Sequence, residues 1–76
     1  MKATNEKIIT HFIEIGNDYE VFESMKIGAK SELGAKQILA RKIKRWRHRD
    51  DVVARLYRWD HNSNAPASVA VATKKL

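Results

Sequence analysis

The sequence predicts a small α+β domain: one helix packed on a four-stranded antiparallel sheet, in the order β-β-α-β-β. Three observations carry this. Residues 7–15 (KIITHFIEI) and 19–27 (YEVFESMKI) alternate at the strand period around the turn signal Gly16-Asn17-Asp18. Ala35, Leu39, Ile43 and Trp46 recur at helical spacing and form one apolar stripe. Residues 52–59 (VVARLYRW) and 67–73 (ASVAVAT) alternate again on either side of a stretch dense in turn formers, DHNSNAP at 60–66.

In the first run Ile9, His11, Ile13 and Ile15 fall on one side and Ile8, Thr10, Phe12 and Glu14 on the other. In the second, Tyr19, Val21, Met25 and Ile27 oppose Glu20, Phe22, Ser24 and Lys26. Two such runs about a short turn make a hairpin. Gly28-Ala29 breaks the pattern. Ser31 is a helix cap, because its hydroxyl accepts backbone N–H bonds left open in the first turn, where Glu32 also suits the dipole. The helix that Ser31 opens is expected to stop near Arg49, since Asp50 and Asp51 oppose the negative end of the dipole. Gly34 weakens it by about 1 kcal/mol relative to Ala, for no reason visible in the sequence. In the third run Val52, Ala54 and Leu56 face one way and Val53, Arg55, Tyr57 and Trp59 the other. The basic end, Lys74-Lys75-Leu76, is expected to fray.

The same residues can be divided into a winged helix. Asn5 then caps a helix through Ile15, 20–27 and 31–47 become the second and third helices, with 31–47 reading DNA, and 52–73 forms the wing. The second helix of that scheme is short and strand-like, so the α+β division is preferred.

Seventy-six residues make a single small domain, with a modest core and no cysteine to staple it by a disulfide or a thiolate metal site. Pairing with a second copy is one way to stabilise such a chain. No apolar run approaches a membrane span. The N-terminal MKATNEKIITHF, interrupted by Glu6, Lys7 and His11, does not read as a signal peptide, so the expectation is a soluble cytoplasmic protein. Charge is unevenly placed. Residues 1–35 carry 4 Lys/Arg against 6 Asp/Glu, whereas residues 36–76 carry 11 against 3. A basic half of this kind attracts DNA, RNA or an acidic protein face.

No catalytic constellation is visible. His11, His48 and His61 are scattered, none at metal-ligand spacing, and Gly16, Gly28 and Gly34 are too far apart for a phosphate loop. No enzyme activity, metal or cofactor is expected. The strongest candidate is ARKIKRWRHRDD, residues 40–51, with six Lys/Arg between Arg41 and Arg49 and no acid until Asp50. Arg41, Lys44, Arg45 and His48 share a helix face, and Arg47 and Arg49 lie nearer its edge. Cations at a helix C-terminus are favourable at roughly 0.3–1 kcal/mol each, but this density exceeds what the dipole calls for and suits phosphate contacts. The second candidate is Arg55, Tyr57, Arg58 and Trp59, where aromatics interleaved with Arg can stack bases or anchor a protein.

The stretch YEVFESMKIGAKSELGAKQILARKIKRW, followed by VVARLYRW, resembles small phage-encoded anti-CRISPR inhibitors of type I surveillance complexes in element order and size. The resemblance covers roughly residues 7–73 and is one of pattern, without a signature residue. It implies a non-enzymatic inhibitor that occupies a surface of a nucleic-acid-handling defence complex in the bacterial host. Many such inhibitors are acidic and imitate DNA. A basic one is expected to meet an acidic patch, the guide RNA backbone or duplex DNA beside the complex.

Overall fold

A computed structural model describes residues 8–76. The hairpin comes first, with β1 at His11–Gly16 and β2 at Val21–Ile27. The helix α1 spans Glu32–Ile43 and tightens into a single 3₁₀ turn at Lys44–Trp46. A second hairpin follows, β3 at Val53–Asp60 and β4 at Ala65–Lys75. The four strands form one antiparallel sheet in the order β2-β1-β3-β4, with α1 against it. This is the α+β architecture expected. The winged-helix division fails because 11–16 and 21–27 are strands and α1 is the single α-helix among the described residues.

The core is one layer between α1 and the two central strands. Ile13 of β1 stands opposite Leu56 of β3, and Ile15 opposite Ala54. Ala35, Leu39 and Ile43 come down from α1, and Val52 closes the end. All eight side chains are removed from solvent. At about 1.5–3 kcal/mol for each large aliphatic group, this layer is the main source of stability. Ser31 caps α1 as expected, its hydroxyl accepting the Gly34 N–H at 3.0 Å.

The turns are ordered by their own side chains. Asn17 Oδ1 accepts the backbone N–H of Tyr19 (2.8 Å) and of Glu20 (2.9 Å), so the turn runs on to Glu20 and β2 begins at Val21 rather than Tyr19. Asp60 does the same work in the second hairpin, accepting from Asn62 N–H and from the Ser63 hydroxyl, both at 2.9 Å. Asn64 completes that turn in the left-handed region, at φ 54°, which Asn tolerates better than most residues.

Three expectations need correction. A bulge where Ile15 and Gly16 meet β2 shifts the alternation there. Phe22 therefore packs against the core with Met25 and Ile27, while Tyr19 and Val21 are exposed. The C-terminal end does not fray: Lys74 and Lys75 pair with Ala54 and Val53, and Leu76 N–H bonds to the Val52 carbonyl at 3.1 Å. The α-helix ends at Ile43, well before Arg49, and the chain leaves through the 3₁₀ turn. The start of the first run at Lys7, and Asn5, lie outside the described residues.

Two glycines give opposite predictions. A methyl group at Gly16 would collide with the Glu20 carbonyl and crowd the Val21 backbone, neither of which can move without opening the hairpin. At Gly34 an added methyl meets Ser31 Oγ at 3.4 Å and Ala29 Cβ at 4.0 Å, which is ordinary contact. Gly34→Ala is expected to raise urea-unfolding stability by up to about 1 kcal/mol through helix propensity. Gly16→Ala is expected to lower it by more than about 1 kcal/mol.

Candidate functional site

The helix end carries the densest charge. Arg41, Lys44, Arg45, Arg47 and His48 are exposed, while Lys42 and Arg49 are half-buried. Their position is fixed by Trp46, which tucks under the last turn and stacks on Phe22 with ring centroids 5.1 Å apart. The Trp46 indole N–H donates to Glu23 Oε1 at 2.9 Å, tying the helix end to β2. His48 stacks in turn with Trp46, at 6.0 Å. Trp46 is thus a structural aromatic, as its place in the apolar stripe suggests.

The cations divide by partner. Arg45 reaches Glu23 at 3.3 Å, and Arg49 bonds Asp51 at 3.2 Å while lying 4.2 Å over the Phe22 ring. Asp51 also accepts from Asn17 Nδ2 at 2.9 Å, and these hydrogen bonds, Asn17 first and then Arg49, hold its carboxyl below the ordinary range. Arg49 therefore stitches the exit of the helix to the first turn. Arg41, Lys42, Lys44 and Arg47 have no acidic partner among the described residues. They form the part of the basic stretch that is uncompensated.

The second candidate group is split by the strand alternation. Arg58 lies on the helix side of β3, where it holds Glu32 at 2.9 Å. Arg55, Tyr57 and Trp59 lie on the opposite, helix-free face, because Ala54 and Leu56 fill the core. There they are joined by Phe12, whose ring is 6.3 Å from that of Trp59, and by Lys26, whose ammonium is 5.3 Å from the Trp59 ring. Arg55 stands 4.0 Å from Glu14. Phe12 and Lys26 were not among the residues singled out from sequence. The period-2 pattern put them on one side of their own strands, but their meeting with Tyr57 and Trp59 depends on a register between strands far apart in the chain.

A shallow cleft of about 450 Å³ opens where the helix N-terminus meets the sheet, lined by His11, Ser31, Glu32, Arg58 and His61 among others. His11 is 7% exposed, and its Nδ1 lies 2.8 Å from Thr10 Oγ1, which also accepts the Ala29 N–H at 2.8 Å. Burial holds the imidazole below the ordinary histidine range; Glu32 pulls the other way, and Arg58 adds to the lowering. Ser31 borders the same cleft, with its hydroxyl occupied as the helix cap. Among the described residues no group of three His, Asp or Glu is placed to hold a metal ion, and no helix is long and apolar enough to cross a membrane.

No protein-family model, curated protein or solved structure matches this chain.

The lowered His11 value fixes the sign of a pH effect. Its folded-state pKa lies below the unfolded one, so its contribution is fully present above the unfolded value of about 6.5 and is lost as pH falls toward the folded-state value. The urea midpoint is expected to drop between about pH 7.5 and about pH 5.5, and His11→Gln to flatten that drop. An undiminished slope in folded His11→Gln protein would assign it to another group.

Proposed function

We propose that this chain is a non-catalytic binding protein that docks on the phosphate backbone of nucleic acid through the basic surface at the end of α1. In the finer reading, that nucleic acid is guide RNA or duplex DNA held by a bacterial defence complex, which the chain inhibits in the host cytoplasm. The observation that carries the proposal is the set Arg41, Lys44 and Arg47. These cations are exposed, close together on the helix end, and without an acidic partner among the described residues. Their number exceeds what a helix C-terminus requires, and no acid among the described residues uses their charge. Opposed to a phosphate backbone, each contact releases counterions, so affinity rises steeply as salt is lowered. The finer reading is supported by the resemblance in element order and size to anti-CRISPR inhibitors.

The structure dictates which residues to change. Arg45 and Arg49 hold Glu23 and Asp51, so their reversal would disturb the fold as well as the surface. Arg41→Glu with Lys44→Glu breaks no ion pair among the described residues. Fluorescence anisotropy with labelled duplex DNA and duplex RNA is expected to show wild-type binding with a steep salt slope. The double variant, with an unchanged circular dichroism spectrum, is expected to bind at least about tenfold more weakly and with a shallower slope. Equal binding by wild type and folded variant would refute the helix-end surface. Interference by a type I complex against a target plasmid, unaffected by wild-type protein that does bind duplex, would remove the inhibitor reading alone.

A further inference from the structure

We infer that the helix-free face of the sheet is a second binding surface, on which Phe12, Tyr57 and Trp59, flanked by Lys26 and Arg55, stack the unpaired bases of single-stranded nucleic acid.

Strand register places these residues together. Lys26 pairs with Phe12, Phe12 with Tyr57 and Tyr57 with Ala70, so one row crosses all four strands. The adjacent row runs Ser24, Glu14, Arg55, Thr73 in the same way. Trp59 stands one step along β3 from Tyr57 on the same face, opposite Pro66. The aromatics therefore occupy the middle of the sheet. On the β4 side their direct partners are the small residues Ala70 and Pro66, and a register shift between these pairs leaves Ala67, Ser68 and the exposed Val69 in the intervening bulge. No described helix packs on this face, since α1 buries Ala35, Leu39 and Ile43 against the other one, and the loop residues Asp18, Asp50 and Asp51 border it at the Val53–Arg55 end, away from Trp59.

The two tryptophans differ in the way this reading requires. Trp46 is tied by its indole N–H to Glu23 and stacks with both Phe22 and His48. Neither the Trp59 indole N–H nor the Tyr57 hydroxyl has a hydrogen-bond partner among the described residues, although both side chains are half-buried. Half-buried aromatics with spare polar tips suit a ligand that offers a ring face and polar edges together. The cation beside the rings suits phosphate: Lys26 has no acidic partner among the described residues, whereas Arg55 and Lys75 lie toward an end of the sheet shared with Glu14, Asp18, Asp50 and Asp51. Lys26 and Arg55 flank the rings on opposite sides, where the backbone of a strand laid over them would run. A duplex cannot use such a surface, since its bases are stacked and paired inward. Only unpaired bases present free ring faces, and every base has one, so binding is expected to be tolerant of sequence. A protein partner would be favoured by a wider apolar patch than three rings bordered by cations.

The test uses full-length protein and labelled single strands of about 12 nucleotides, oligo(dT) and oligo(U), beside a duplex probe at low salt. Tyr57→Ala with Trp59→Ala is expected to weaken single-strand binding about tenfold or more and to change duplex affinity less than about twofold. Because that double variant removes packing, Lys26→Glu, at an exposed position, is measured in parallel and is expected to weaken single-strand binding by about threefold or more. Loss with both oligonucleotides supports recognition of ring faces; loss with oligo(U) alone supports the same surface with a contact to the ribose hydroxyl. Wild-type protein that binds no single strand at low salt overturns the inference, as does Lys26→Glu protein that binds single strands as tightly as wild type. Duplex affinity reads the helix end independently, so failure of this inference leaves that proposal standing, and the reverse.

Discussion

A single helix covers only one face of a four-stranded sheet, and that limit organises this molecule. Ala35, Leu39 and Ile43 are just enough apolar surface to close over Ile13, Ile15, Ala54 and Leu56. The small residues Ala35 and Ala54, both without exposure, contribute close approach rather than bulk. Once that layer is sealed, strand alternation sends Phe12, Glu14, Arg55 and Tyr57 to the side where no described element packs. The outward face of the helix is equally unneeded by the core, which is why it can carry so much charge. The two candidate surfaces thus lie on opposite sides of one thin core and share no residue.

Around that core, polar side chains fix what the apolar layer leaves loose. Glu23 is the central one: a half-exposed carboxylate on β2 that accepts from Trp46 and from Arg45. Exposed ion pairs such as Arg45–Glu23 and Arg58–Glu32 contribute little free energy, typically well under about 1 kcal/mol. Their geometric role is larger. The Asn17–Asp51–Arg49 contacts continue to the Phe22 ring and join the first turn to the segment entering β3. Basic residues that look alike in the sequence therefore have two fates, one set held inward by acids and the other facing solvent.

The fold and the basic helix end were legible because both rest on local periodicity. The strands, the turn-forming stretches, the Ser31 cap and the stripe Ala35-Leu39-Ile43 each repeat within a few residues, and the packing agrees with all of them. Four things were not legible. Phe22 changed sides through a bulge that alternation alone does not reveal. The C-terminal lysines looked like a loose tail because charge near a chain end suggests solvation, yet their backbones complete the ladder with β3. Arg58 was grouped with Arg55, Tyr57 and Trp59 by adjacency, although the strand period sends it to the other face. The missing members of the aromatic face, Phe12 and Lys26, needed a register linking residues more than thirty positions apart.

That same register bears on how the chain reaches its folded state. The order β2-β1-β3-β4 makes the sheet two sequence-local hairpins whose inner strands meet in the middle. Each hairpin closes over a short turn held by its own Asn17 or Asp60, on a timescale of about 1–10 μs for such elements. The seam between them, His11 against Arg58 through Gly16 against Val53, spans the whole helix and its flanking turns. Closing that long loop costs entropy before the pairing returns anything, and the helix stripe has no core to cover until the seam exists. Assembly of β1 on β3 beneath α1 is therefore expected to be the slow event in folding, with the hairpins as its prefabricated halves.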